Sequence, residues 1–74
     1  MTESSATTME VFVNGAAREV PPGTTLAALI QELAMEPRFV AVEVNLELVP
    51  RTQHAARLLA AGDRLEIVTL VGGG

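Results

Sequence analysis

The chain has 74 residues, 49% of them apolar and none of them cysteine, and its formal net charge is −4. A chain of this length forms one small domain that buries roughly 60% of the surface its unfolded form exposes. The absence of cysteine excludes a disulfide scaffold, thiolate metal ligands and a cysteine nucleophile. The acidic balance, without tyrosine or tryptophan, argues against nucleic-acid binding and favours encounter with a basic protein surface.

Residues 1–8 are rich in serine and threonine and contain no apolar run. They match neither a signal peptide nor a membrane anchor, and no later segment approaches the ~20 apolar residues of a transmembrane span. We therefore expect residues 1–8 to be a disordered extension of a cytoplasmic protein that does not associate with membranes.

Two short strands joined by a tight turn are predicted next. Residues 9–13 alternate between apolar and other side chains, as a half-buried strand does. Asn14-Gly15 is a strong signal for a type I′ turn, and residues 16–20 form the returning strand. Pro21-Pro22-Gly23 ends this hairpin.

The clearest helix follows the hairpin. Its apolar positions have the i, i+3, i+4, i+7 spacing of one helix face and are Leu26, Leu29, Ile30 and Leu33. Thr24 or Thr25 can cap its start, and Pro37 closes the connection to the next strand.

Residues 39–44 predict a third strand with alternate valines facing inward, and a turn at 45–47 leads to a short strand at 48–49. Residues 51–59 suit a short helical turn anchored by Leu58 and Leu59. His54 is expected on the surface of this turn.

Residues 64–71 predict the last strand, with Leu65, Ile67 and Thr69 on one face and Glu66, Val68 and Leu70 on the other. The order of elements predicts an α+β fold of the β-grasp (ubiquitin-like) type over residues 9–70. One main helix lies across a mixed sheet of four or five strands, in which the first and last strands pair centrally. The helix is expected to pack on one sheet face formed by Val11, Val13, Val42, Leu65 and Ile67.

The sequence ends on Val71-Gly72-Gly73-Gly74, and we expect residues 71–74 to be a flexible C-terminal tail. Four extended residues span ~13 Å, and glycines, which lack β-carbons, can thread a narrow channel. Gly72 and Gly73 would thread into a partner, and Gly74 would present its α-carboxylate for reaction. The alternative is an inert, disordered end.

The chain offers no catalytic machinery of its own. It has one histidine, no lysine, and serine only at Ser4 and Ser5, so no nucleophile–base pair can be assembled. Neither a metal cluster nor a nucleotide-binding motif is present. Because an α-carboxylate must be activated before it reacts, a partner enzyme would supply the ATP. The pattern predicts a carrier that binds no cofactor itself, rather than an enzyme.

Several segments together resemble the ThiS family of ubiquitin-like sulfur carriers, over nearly all of residues 9–74. The resemblance rests on Val11-Phe12-Val13-Asn14-Gly15, Gly23-Thr24-Thr25-Leu26, Val40-Ala41-Val42-Glu43-Val44-Asn45, Val49-Pro50-Arg51, Gly62-Asp63-Arg64-Leu65-Glu66-Ile67 and the terminal glycines. It departs from the family pattern at Gly72, where relatives often have another residue, and in the N-terminal extension.

The resemblance implies a function in thiamine biosynthesis. In the family, a ubiquitin-activating-like adenylyltransferase adenylates the terminal glycine, which would be Gly74 here. A sulfur donor system then converts it to a thiocarboxylate, and thiazole synthase takes the sulfur for thiazole formation.

A partner-binding patch is expected at the root of the tail. Val68 and Leu70 should lie on the outer sheet face, with Phe12 beside them on the neighbouring first strand, and exposed apolar patches often mark interfaces. Glu10, Glu43 and Glu66 are the expected acidic rim, which would speed encounter.

Other functions fit the same tail. They are a sulfur carrier for molybdopterin synthesis, for tRNA thiolation or for amino-acid sulfuration, a ubiquitin-like modifier joined to target lysines, and a plain binding module. The molybdopterin carriers tend to have aromatic and proline residues before the terminal glycines, where this chain has residues 67–71 of aliphatic character. The Val49-Pro50-Arg51 segment also favours the thiazole carrier.

Overall fold

The computed structural model describes residues 7–70. Its strands are β1 (Met9–Val13), β2 (Ala16–Val20), β3 (Val40–Val44), β4 (Glu47–Val49) and β5 (Arg64–Thr69). The α-helix is α1 (Leu26–Glu32), and two 3₁₀ helices span Pro37–Phe39 and Arg51–Gln53. Of the predicted extension at residues 1–8, Thr7 and Thr8 are exposed and belong to no strand or helix. Residues 1–6 and the predicted tail at residues 71–74 lie outside the described residues.

The five strands form one mixed sheet in the order β2-β1-β5-β3-β4. The central pair, β1 and β5, is parallel, and the other neighbouring pairs are antiparallel. This confirms the predicted β-grasp fold and the central position of the first and last strands. No helix in the described part of the chain is long and apolar enough to cross a membrane.

Local signals define both ends of α1. The Thr25 hydroxyl oxygen accepts a hydrogen bond of 3.1 Å from the Ala28 amide, so Thr25 is the N-cap. The helix ends at Glu32 with Leu33 as its C-cap, after which Ala34 has a φ of 60°. The Met35 amide then donates to the Ile30 carbonyl, as in a Schellman motif.

One apolar core lies between α1 and the inner face of the sheet. Leu26, Leu29 and Ile30 are completely buried, and they share this core with buried residues from β1, β2, β3, β4 and β5. The predicted core is confirmed, with Val13 and Leu33 packed at its margin as partly buried residues.

The segment after Pro50 differs from the prediction. His54 is buried, not on the surface, because its Nε2–H donates to the Val49 carbonyl at 3.1 Å and its own carbonyl accepts from the Ala27 amide. Leu59 is buried as expected, but Leu58 is 61% exposed and does not anchor the segment. His54 takes the inward position because its ring can bond the carbonyl of Val49, at the end of the edge strand β4, while the residue packs beside α1.

Truncating Leu29 should test the helix-on-sheet packing. We expect Leu29→Ala to lower the free energy of unfolding by about 2–5 kcal/mol, because it removes buried methyl groups and leaves a cavity. The measurement is chemical denaturation. The matched control is Leu48→Ala at a 64% exposed position, where the change should stay within ~0.5 kcal/mol. Equal effects at the two leucines would contradict the assignment.

Candidate functional site

The outer face of the sheet is the face that α1 leaves uncovered. Along β5, the alternation places Arg64, Glu66 and Val68 on this face, and Leu70 continues it beyond the strand. Since β5 leads directly to residues 71–74, its outer face is the surface next to the predicted reactive segment. Gly72, Gly73 and Gly74 themselves lie outside the described residues.

Four apolar residues of β5 and the neighbouring β3 region lie together at the end of β5. Val68 is paired with Ala41, and the Leu70 amide donates to the Phe39 carbonyl at 2.6 Å. Three of the four side chains are about half exposed: Phe39 at 48%, Val68 at 55% and Leu70 at 50%. We call Phe39, Ala41, Val68 and Leu70 the tail-root strip.

Phe12 is not part of this strip, which corrects the predicted patch. The residue is on the outer face of β1, beside β5, as expected, but the parallel register aligns it with Arg64. Val68 is four residues further along β5, or ~13 Å at strand spacing. The Arg64 guanidinium lies over the Phe12 ring at 4.9 Å, so the half-buried ring is covered by a cation.

The predicted acidic rim is divided in the same way. Glu43 and Glu66 are direct cross-strand partners between Phe12 and the tail-root strip, and both are exposed. Glu10 is paired with Glu19 on the other side of Phe12. Like charges directly opposite each other destabilise a sheet, and a basic partner surface would relieve that repulsion.

A shallow groove of about 400 Å³ lies at the end of the outer face opposite the tail-root strip. It is lined by Phe12, Gly15, Asn45, Leu46, Arg64, Leu65 and Glu66. Leu46 is 90% exposed and has a φ of 70° in the β3–β4 turn. A left-handed backbone costs a non-glycine residue roughly 1–2 kcal/mol, so this exposed leucine is held in a strained position.

Two asparagines hold β5 from its two sides. The Asn14 side-chain amide donates to the Ile67 carbonyl at 3.1 Å and its oxygen accepts from the Ile67 amide at 2.8 Å. On the other side, the Asn45 oxygen accepts from the Arg64 amide at 3.0 Å, and its nitrogen donates to the buried Asp63 carboxylate at 2.9 Å. Each asparagine therefore continues a neighbouring strand with its side chain.

Sequence reasoning missed Asn14, Asn45 and Phe39 as parts of this surface. Asn14-Gly15 was a turn signal, and the positive φ angles of both residues, 51° and 87°, confirm that turn. The pattern gives no sign that the Asn14 amide also reaches across to Ile67. Phe39 could have been found, because the alternation that puts Ala41 and Glu43 outward puts Phe39 outward as well.

Residues 11–74 match the ThiS family. The chain belongs to the ThiS family. It is 27% identical over 66 residues to the sulfur carrier protein ThiS of Escherichia coli, covering 89% of this chain and 100% of that protein. This establishes the resemblance drawn from the sequence motifs.

Longer proteins contain a similar segment. This ThiS-family chain is 44% identical over 66 residues to the thiazole synthase of Paramagnetospirillum magneticum and 38% identical to that of Magnetococcus marinus. The aligned region covers 89% of this chain but only 20% of either of those proteins.

Solved structures of a ThiS-family relative have the same fold. The crystal structure of the thiamine biosynthesis protein ThiS from Geobacter metallireducens superposes with a TM-score of 0.77 at 29% identity, covering 89% of this chain and 100% of that one. The solution structure of that thiamine biosynthesis protein gives a TM-score of 0.73.

Replacing Asn14 with glycine should show how far its side chain holds β5. Glycine accepts the positive φ at this position without strain, so Asn14→Gly removes the two bonds to Ile67 without straining the turn. We expect a loss of about 1–3 kcal/mol of unfolding free energy and faster hydrogen exchange of the Ile67 amide. The Glu66 amide, on the β3 side, is the internal control. Unchanged exchange of the Ile67 amide would contradict the role of the Asn14 side chain in holding β5.

Proposed function

We propose that this chain is a sulfur carrier for thiazole formation in thiamine biosynthesis, with Gly74 as the residue that carries sulfur. The observation that supports it most is the ThiS-family match, which extends to the terminal glycines at residues 72–74. The whole length of the Escherichia coli sulfur carrier aligns with this chain, which also favours the carrier function over an inert binding module.

The chemistry begins with the Gly74 carboxylate. In the active site of a ubiquitin-activating-like adenylyltransferase, a carboxylate oxygen attacks the α-phosphorus of ATP, and pyrophosphate leaves. Sulfur at the oxidation level of sulfide, supplied by a donor system, then attacks the acyl carbon of the adenylate and displaces AMP, leaving a thiocarboxylate. The partner enzyme binds the ATP, and the carrier supplies only the acyl group.

Thiazole synthase is the proposed recipient of that sulfur. Segments similar to this chain form part of two proteins named thiazole synthase. Joining a carrier to the enzyme that consumes its cargo raises their effective concentration, which is the physical benefit of such a fusion. These relatives favour the thiazole pathway over the molybdopterin and tRNA alternatives.

The end of β5 supports the delivery of Gly74 into a partner. Asn14 bonds Ile67 from one side of β5, and the Phe39 carbonyl, just before β3, bonds Leu70 from the other, so the root of the tail has a fixed position. The last four residues, 71–74, span at most ~13 Å when extended. The tail-root strip would therefore dock within that distance of the adenylation site.

Removing Gly74 should abolish activation without affecting the fold. We expect the chain that ends at Gly73 to melt at the wild-type temperature but to form no thiocarboxylate, detected by mass spectrometry as one oxygen replaced by sulfur. The matched control lacks residues 1–6 instead and should be activated normally. Thiocarboxylate formation on the chain that ends at Gly73 would refute Gly74 as the carrying residue.

A charge placed in the tail-root strip should weaken docking. We expect Leu70→Glu to lower affinity for the adenylyltransferase about tenfold, or ~1.4 kcal/mol, because a carboxylate would be buried in an apolar contact. Calorimetry measures the affinity. The same substitution at the exposed Leu58, which pairs with Thr25 beside α1, is the control. Equal affinities for the two variants would place recognition elsewhere.

A further inference from the structure

The backbone of β5 alternates in the side to which its hydrogen bonds point. Asp63 and Leu65 direct their carbonyls toward β1, where they accept from the Phe12 and Asn14 amides at 2.9 and 2.8 Å. Arg64, by contrast, accepts from the Asn45 amide on the β3 side at 2.8 Å. The backbone N–H and C=O groups of odd-numbered residues of β5 therefore point toward β1, and those of even-numbered residues point toward β3.

Thr69 is the odd-numbered residue at which this pairing stops. β1 ends at Val13, aligned with Leu65, and the Asn14 side chain extends the pairing by one step to Ile67. The N–H and C=O of Thr69 therefore point to the side of β5 where residues 7–70 place no strand. Thr69 is exposed, and within residues 7–70 this side of β5 is therefore an open sheet edge.

The first described residues of the chain lie far from this edge. Met9 is three residues before Phe12, and Thr69 is five residues beyond Arg64, with which Phe12 is aligned. Met9 and Thr69 are thus ~26 Å apart along the sheet at strand spacing. Thr8 lies beside β2, because its hydroxyl donates a hydrogen bond to the Glu19 carboxylate at 2.8 Å.

The edge also lacks the features that usually prevent strand addition. Proteins protect open edges with lysine, proline, inward charges or bulges. The sequence from Ile67 to Val71 is Ile-Val-Thr-Leu-Val, without charge or proline and with high β-propensity. Such an edge is suited to receive a strand.

We propose that an extended segment of the activating adenylyltransferase pairs with β5 through the backbone of Thr69, adding a strand to the sheet. This inference rests on the proposed function and specifies how the tail is held. A strand paired at Thr69 would continue alongside residue 71 and keep the chain extended toward Gly74. Activation is the step in which the carboxylate itself attacks, so it demands the closest positioning. Backbone bonds supply affinity, and the flanking Val68 and Leu70 supply specificity.

Hydrogen exchange in the complex provides the first test. The wild-type chain is mixed with an adenylyltransferase shown to adenylate it, without ATP, and amide exchange is measured residue by residue. We expect at least tenfold slower exchange of the Thr69 amide in the complex. The Val68 amide, which faces β3, should change much less. No added protection at Thr69, or protection only in a complex with thiazole synthase, would overturn the inference.

A pair of substitutions provides the second test. Thr69→Pro removes the N–H that faces the open edge but leaves the bonds to β3, and proline is tolerated at such edges. Thr69→Val keeps the backbone N–H and introduces a side chain of similar shape. We expect Thr69→Pro to bind the adenylyltransferase about fivefold more weakly than Thr69→Val, the loss of one backbone hydrogen bond. Equal affinities would overturn the proposal.

Two further outcomes separate the inference from the function on which it depends. If the wild-type chain is never adenylated, the proposed function fails and this inference fails with it. If the wild-type chain is adenylated but Thr69 is unaffected, only the strand pairing fails. Concentration-dependent self-association that Thr69→Pro abolishes would assign the edge to a second copy and would overturn the proposal.

Discussion

The parallel pairing of β1 with β5 is the constraint on which the rest of this molecule depends. It joins the first and last strands at the centre of the sheet, so every other strand and helix of the fold lies between these two strands in the sequence. A parallel pair requires a long crossover, and β2, α1, β3 and β4 all lie within that connection. The strand leading to residues 71–74 is thus also the centre of the core.

Covering one face of this sheet with a single helix leaves the other face without cover. The consequence is visible in the residues of β5: Leu65 and Ile67 are buried beneath α1, whereas Val68 is 55% exposed. A small domain gains little by exposing valine and leucine or by placing Glu43 opposite Glu66. A basic, partly apolar partner bound to the outer face would bury the apolar side chains and relieve the repulsion between the two carboxylates.

The sequence predicted the elements better than it predicted their relative positions. Period-two and period-3.6 patterns indicate which side chains face the core, and these assignments for β3, β5 and α1 are confirmed. Phe12 was placed on the correct face but at the wrong height, because alternation does not determine the register between strands distant in sequence. The sequence predicts His54 on the surface, because a lone histidine gives no sign that its ring will bond the carbonyl of Val49.

The same parallel pairing determines where further residues could be joined to this domain without blocking its outer face. Since β1 and β5 run in one direction, the chain enters the sheet at one end and leaves it at the other, near Leu70. Residues added before Thr7 therefore begin at the end remote from the tail-root strip and from the open edge at Thr69. Residues added after Gly74 would have the opposite effect, because they would convert the proposed reactive carboxylate into an amide. The proposed chemistry thus permits extension on one side of the domain, and on the other it requires the chain to be cleaved or to end.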